Sequence, residues 1–183
     1  MSRSVLILSA SPRNNSNSDL LAEEFARGAR EMGHTVEKIS LTGKTLQFCK
    51  GCLACQTRKD GHCVMKDDAD AIVQKMAQAD VLVFATPIYF YEMSGQMKTL
   101  LDRTNPLFPV DYAFREIYLL ATAADEEESA MDGAVKGLEG WIACFEKCHL
   151  AGVVRGVGCD GAGSIRNQPE LLKTAHDMGS TIE

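Results

Sequence analysis

No apolar run in this 183-residue chain approaches the length that crossing a bilayer requires, and the first residues offer only four consecutive apolar positions, Val5 to Leu8. That is too short for the core of a secretory signal, so a soluble, cytoplasmic protein without membrane attachment is expected. Basic charge is also scarce. Nineteen Lys and Arg face 25 Asp and Glu, net −6, and no basic cluster exceeds isolated pairs such as Arg58-Lys59, which argues against nucleic acid as a partner. The four histidines, His34, His62, His149 and His176, show no pairing pattern with a nucleophile, so the sequence supports no nucleophile and base chemistry. Internal repeats, low-complexity tracts and long linkers are lacking as well. With 45% hydrophobic residues, the chain fits one globular domain over 1–183 with a substantial core.

What is present begins at once. Val5-Leu6-Ile7-Leu8 breaks into Ser9-Ala10-Ser11-Pro12-Arg13-Asn14-Asn15-Ser16-Asn17-Ser18, and a helical pattern starts at Asp19. A strand, a loop and a helix start in this order make an anion site, because the first amides of a helix lack partners and carry partial positive charge. The loop has no glycine, so it is neither a dinucleotide fingerprint nor a Walker loop. Its hydroxyls, amides and one guanidinium suit a terminal monophosphate. An ordinary capping loop is the plainer reading, but caps seldom need so many such residues in succession.

Further apolar, β-rich runs lie at Thr35 to Ser40, Val81 to Ala85, Ile117 to Thr122 and Gly152 to Val157. Amphipathic stretches at Asp19 to Met32, Asp68 to Ala79, Ser94 to Arg103, Ser129 to His149 and Pro169 to Gly179 separate or follow them. Strands alternating with helices imply an α/β fold, a doubly wound parallel sheet of five strands in the order 2-1-3-4-5. Ligands of such sheets sit beyond the carboxyl ends of the strands, which places the chemistry in the loops Ser9 to Ser18, Thr86 to Ser94 and Ala121 to Glu128. The middle one, Thr86-Pro87-Ile88-Tyr89-Phe90-Tyr91, is apolar and aromatic where polar residues are usual, and so offers a surface for a planar ligand. Cover for the core or a subunit interface is the alternative.

Cysteine is the one abundant oddity. Of seven, Cys49, Cys52, Cys55 and Cys63 fall in one segment, 48–66, and an odd total argues against a disulfide framework and toward metal or redox chemistry.

The Ser9-Ala10-Ser11-Pro12-Arg13 loop, Thr86-Pro87-Ile88-Tyr89, and Lys98 followed by Asp102-Arg103 together resemble the flavodoxin-like NAD(P)H-dependent FMN reductases. The likeness covers most of the chain and is close over Ser9 to Leu20 and Ala79 to Arg103. It implies that Ser9, Ser11, Arg13, Ser16, Asn17 and Ser18 bind the FMN phosphate. Pro87, Ile88, Tyr89 and Phe90 would contact the isoalloxazine, with Thr122, Ala123 and Ala124 bordering it. The segment Phe48-Cys49-Lys50-Gly51-Cys52-Leu53-Ala54-Cys55, with Cys63 following, is similar to the iron–sulfur flavoprotein branch, in which four cysteines hold a [4Fe–4S] cluster. Four thiolates in one loop suit a cubane, although ferredoxin runs have a shorter last gap and a proline where Val64 stands here. Zinc, with His62 adjoining Cys63, and unmetallated thiols stay open.

Four features lead elsewhere. Gly156-Val157-Gly158-Cys159-Asp160-Gly161 has dinucleotide-site spacing, but no helix opens directly from it and no strand completes the unit. Gly43-Lys44-Thr45 lacks the upstream glycine of a Walker loop, where Lys38 stands. Asp125-Glu126-Glu127-Glu128 reads as favourable charge before a helix, and Cys144 and Cys148 as core thiols on one helix face.

The resemblance therefore implies an oxidoreductase carrying electrons from NAD(P)H through FMN to a quinone, flavin or other small-molecule or protein acceptor. The lack of a general acid or base agrees, since flavin supplies the difficult chemistry. A homodimer or higher homo-oligomer with the site near the interface is expected. Two alternatives remain: an iron–sulfur flavoprotein acting as electron carrier for a protein partner, and a zinc-stapled module binding a phosphate-bearing effector.

Overall fold

The computed structural model describes residues 1–183. In chain order its main elements are β1 (Ser4–Ser9), α1 (Asn17–Glu31), β2 (Thr35–Ser40), α2 (Ala54–Arg58), α3 (Asp68–Gln78), β3 (Val81–Tyr89), β4 (Glu92–Met93), α4 (Gly95–Asp102), β5 (Glu116–Thr122), α5 (Asp132–Ile142), β6 (His149–Gly156) and α6 (Pro169–Ser180). Five parallel strands lie in the order β2-β1-β3-β5-β6, and β4 folds back antiparallel on the end of β3. Setting that small return strand aside, this is the expected flavodoxin-like 2-1-3-4-5 order.

Strand periodicity divides the core into two. Val5 and Ile7 of β1, with Val81 and Val83 of β3, face α1 and α6, where Leu21, Phe25 and Ala175 cover them. Leu6, Leu8, Leu82 and Phe84 point the other way, onto Ile72 and Met76 of α3, Met97 and Leu100 of α4 and Leu138 of α5. Each fully buried Leu or Phe is worth about 1.5–3 kcal/mol of transfer free energy, and both faces of the central strands gain it. The edge strand β2 has no fully buried position, as an edge facing solvent should.

Two glycines let α1 and α6 touch backbone to backbone. A Cβ at Gly28 would lie 2.0 Å from the carbonyl oxygen of His176, and one at Gly179 would lie 2.1 Å from that of Phe25. This close crossing fixes α1, and with it the loop that precedes α1. The helix starts are capped from the sequence: Ser16 accepts from the Asp19 amide, Asp67 from Ala69 and Ser94 from Met97.

Several expectations need correction. The third strand does not stop at Ala85 but runs to Tyr89, and the segment after it is a hairpin, turning at Phe90 and Tyr91 with φ of 51° and 65°. The expected helix over Ser129 to His149 is a short 3-10 turn, Glu128–Met131, followed by α5, which ends at Ile142. Tight i to i−3 bonds from Cys144 and Phe145 close it, and Phe145 is held by stacking on Phe108 and by edge contacts with Tyr112 and Phe114. Cys144 and Cys148 therefore lie beyond the helix, one exposed and one half-buried, instead of packing on one helical face. The last strand begins at His149, three residues earlier than expected, and a register shift against β5 at Ile117/Tyr118 accommodates it. α2 was not foreseen.

Candidate functional site

A cleft of about 200 Å³ opens beyond the carboxyl ends of β1, β3 and β5, where the sheet order reverses. One wall is polar: Ser11, Arg13, Ser16, Asn17 and Ser18 at the start of α1. The other is Pro87, Ile88 and Tyr89 from the end of β3, with Thr122 and Ala124 from the end of the neighbouring β5 beside them. The three loops singled out from the sequence thus meet.

Each residue of the polar wall has a distinct task. Ser16 caps α1 through its hydroxyl, 3.2 Å from the Asp19 amide. Ser11 accepts from the Arg13 amide at 3.4 Å. Ser18 is buried and its hydroxyl has no hydrogen-bond partner, an unusual cost that a ligand oxygen would remove. Arg13 is exposed and reaches the Asp160 carbonyl at 3.2 Å. The Asn17 side chain is fully engaged: its amide donates to the carbonyls of Cys159 (3.1 Å) and Gly161 (2.9 Å), and its oxygen accepts from the Ile165 amide. Its role is to tie the loop after β6 against the start of α1.

Three expected residues stand outside the cleft lining. Ser9 is buried behind it, donating to Asp19, which also receives Lys38. Ala123 is buried and uses its backbone to join Gly156 and Cys159. Phe90 is fully exposed at the hairpin tip. Gly133 of α5 lets that hairpin pack closely, since a Cβ there would lie 2.3 Å from the Tyr91 carbonyl.

Cys159, Asp160 and Ala162 complete the cleft, and the sequence reading missed them. They belong to the glycine-containing loop rejected as a dinucleotide motif. No α-helix opens directly from that loop, which runs into a short 3-10 turn, Ser164–Asn167, yet the Asn17 ties and the bond from the Gly158 amide to Asp125 (2.7 Å) fold it over the site. The only signal was topological, in that a loop leaving the last strand beside β5 must end near the same edge.

A second cavity holds all four clustered cysteines. Left-handed residues at Gly51 and Leu53 coil the chain so that Cys55 enters α2 and is buried, with Cys63 half-buried and Cys49 and Cys52 exposed. Leu53, Val64, Met65 and Pro106 make the rest largely apolar, and Arg103 and Asn105 supply the polar edge. The enclosed space is narrow, about 30 Å³, and its exposed wall is the one carrying Cys49 and Cys52. Burial, followed by the neighbouring Cys63 sulfur, holds the Cys55 thiol above its ordinary pKa. As the cavity stands, no three Cys, His, Asp or Glu side chains converge on a single metal position, and the His62 ring turns to Asp70 at 2.9 Å. The sulfurs border a common space, and two N–H groups already point at sulfur, Gly51 to Cys49 at 3.4 Å and Arg103 to Cys63 at 3.3 Å. Four thiols around a shared apolar space, with donors to sulfur, fit a cubane cluster.

Comparison with known proteins agrees with this architecture. An iron-sulfur flavoprotein of Methanocaldococcus jannaschii is 41% identical over 103 residues, covering 56% of this chain and 52% of that protein. One from Methanosarcina thermophila is 25% identical over 183 residues, covering 96% and 95%. The chain spans about half the length of several curated relatives it matches. Among solved structures, an NAD(P)H:quinone oxidoreductase from Methanothermobacter marburgensis superimposes with a TM-score of 0.76 at 19% identity, over 100% of this chain and 97% of that one. An FMN-dependent NADH-azoreductase of Bacillus anthracis in complex with FMN gives 0.66 at 14%, over 98% and 96%. These two establish the flavodoxin-like fold. The profile described as NADPH-dependent FMN reductase matches residues 3–146, and the chain belongs to that family.

Proposed function

We propose that this protein binds FMN in the cleft and carries electrons from NAD(P)H to a quinone, a flavin or another acceptor. The observation that carries the reading is Ser18, a buried hydroxyl without a partner in the first turn of α1, opposite an apolar wall. A phosphate there meets the free first-turn amides, the hydroxyls of Ser11 and Ser18, and Arg13. Pro87, Ile88 and Tyr89 offer a face to the isoalloxazine, with Thr122 and Ala124 bordering it from the end of β5. Ser9, Ser16, Asn17 and Ala123 hold these groups in place. Bound flavin supplies hydride and single-electron chemistry, so the chain needs only to bind, orient and shield it.

The test is a pair of titrations. FMN should bind far more tightly than riboflavin, which lacks the phosphate, and the FMN-loaded protein should oxidise NADH or NADPH when a quinone is present. Equal affinity for the two flavins would refute the phosphate site.

The cysteine cavity favours a second element of the reading, a [4Fe–4S] cluster on Cys49, Cys52, Cys55 and Cys63. With it the protein would pass single electrons to a protein partner. Tyr89, Phe90 and Tyr91 expose aromatic surface beside the cleft, which suits a homodimer covering the site. Seven free thiols suit a reducing cytoplasm.

A further inference from the structure

Arg103 is the largest fully buried side chain of the molecule, and nothing in the flavin reading uses it. It follows α4 directly and borders the cysteine cavity. Its guanidinium donates through Nη2 to the Cys63 sulfur at 3.3 Å and to Asp67 Oδ1 at 3.0 Å. Through Nη1 it donates to Asp67 Oδ2 at 2.5 Å and to the Gln47 carbonyl at 2.8 Å. Nε is buried and has no partner. Asp67, whose carboxylate side chain is fully buried, accepts in turn from the Gln47 amide at 2.8 Å and caps α3.

Gln47 precedes the cysteine segment and Asp67 follows it, so one ion pair closes both ends of the loop while its positive end touches a cysteine sulfur. A surface loop does not need this. Burying a guanidinium and a carboxylate together is costly, and hydrophobic residues of similar size often serve stability as well or better. The pair suits a site whose electronics matter.

We propose that Arg103 is a positioning residue for a [4Fe–4S] cluster: it donates an N–H to the Cys63 thiolate and sets the cluster's reduction potential, with Asp67 partly cancelling its charge. The inference rests on the reading that the four cysteines hold such a cluster. Hydrogen bonds to ligand sulfur and nearby positive charge both favour the more negative, reduced cluster and so raise its potential.

Opposite effects of the two partners follow. Arg103→Gln removes the charge and leaves Asp67, so the potential falls. Asp67→Asn keeps the cap and the shape but leaves the arginine charge uncancelled, so the potential rises. The experiment uses the full chain, reconstituted anaerobically with ferrous iron and sulfide. It measures iron and sulfide content, the cluster midpoint potential by optical titration, and the EPR signal of the reduced cluster. Bound flavin reports folding independently. Shifts of opposite sign, with a changed EPR line shape in Arg103→Gln, support the proposal; where Arg103→Gln folds but takes up no cluster, the potential of Asp67→Asn decides. If Arg103→Gln does not fold, Asp67→Asn decides alone: a rise supports the role and no rise overturns it. Unchanged potentials in both variants, or shifts of one sign, overturn it while leaving the cluster reading intact. Wild-type protein that takes up no iron would instead refute the cluster reading itself.

Discussion

The two cavities are built on opposite plans. The cleft beyond the sheet is assembled from loop ends that the strands bring together, and its most telling group, the Ser18 hydroxyl, is left without a partner. The cysteine cavity is made by one continuous segment, 48–66, whose ends are tied by a buried ion pair that satisfies nearly every polar atom it touches. Loss of polar groups should therefore weaken binding at the first site and folding at the second.

The largest expected effect tests that contrast at its strong end. Asp67→Ala leaves Arg103 buried and uncompensated, uncaps α3 and frees Gln47, and should cost about 3–5 kcal/mol in urea unfolding. Acid should act on the same pair. Burial alone would raise the Asp67 pKa, but the Arg103 and Gln47 hydrogen bonds outweigh it and hold the carboxyl below its ordinary value. A depressed folded pKa means that the contribution is complete above the unfolded value of about 3.9 and is lost as pH falls through the folded one. Wild-type urea midpoints should thus drop more steeply than those of Asp67→Asn as pH is lowered below about 4.

The next effect concerns the frame they share. Gly28→Ala and Gly179→Ala each force a methyl against a carbonyl oxygen at the α1 and α6 crossing, and should destabilise by about 1–3 kcal/mol in the same assay. Ser18→Ala sharpens the comparison from the other side. It should weaken FMN about tenfold, read by fluorescence quenching, with no loss of apoprotein stability, because the hydroxyl it removes has no partner. An apoprotein destabilised by this change would mean that the hydroxyl is structural after all. The smallest effect is kinetic. Burial pushes the Cys148 thiol up to about 11, so at pH 8 it should alkylate far more slowly than the exposed Cys49 and Cys52, which bound iron should in turn protect. Mass spectrometry of partially modified protein reads this order.

Much of the cleft was legible because its signals are local. The apolar runs marked the strands, their alternation with helices implied the order, and the serines before α1 marked the polar wall. The hairpin was hidden because its turn uses Phe90 and Tyr91 where glycine or asparagine would be expected at positive φ. The end of α5 was hidden because an aromatic cluster, not a breaker residue, stops it near Ile142. Cys159 and Asp160 were overlooked because bonds between segments distant in sequence, from Asn17, Arg13, Ala123 and Asp125, bring their loop onto the site. The Arg103 and Asp67 pair likewise spans 36 positions, a pairing that no periodicity records. Four cysteines in one segment were obvious, yet the pair that ties its ends lies just after α4 and just before α3.

The most direct measurement is an anaerobic absorption spectrum of the purified protein from 300 to 700 nm, with FMN, iron and acid-labile sulfide counted on the same sample. Flavin bands with a broad shoulder that dithionite bleaches, about one FMN and about four irons per chain, are the expected result. A protein without flavin bands that also fails to take up added FMN would contradict the central claim.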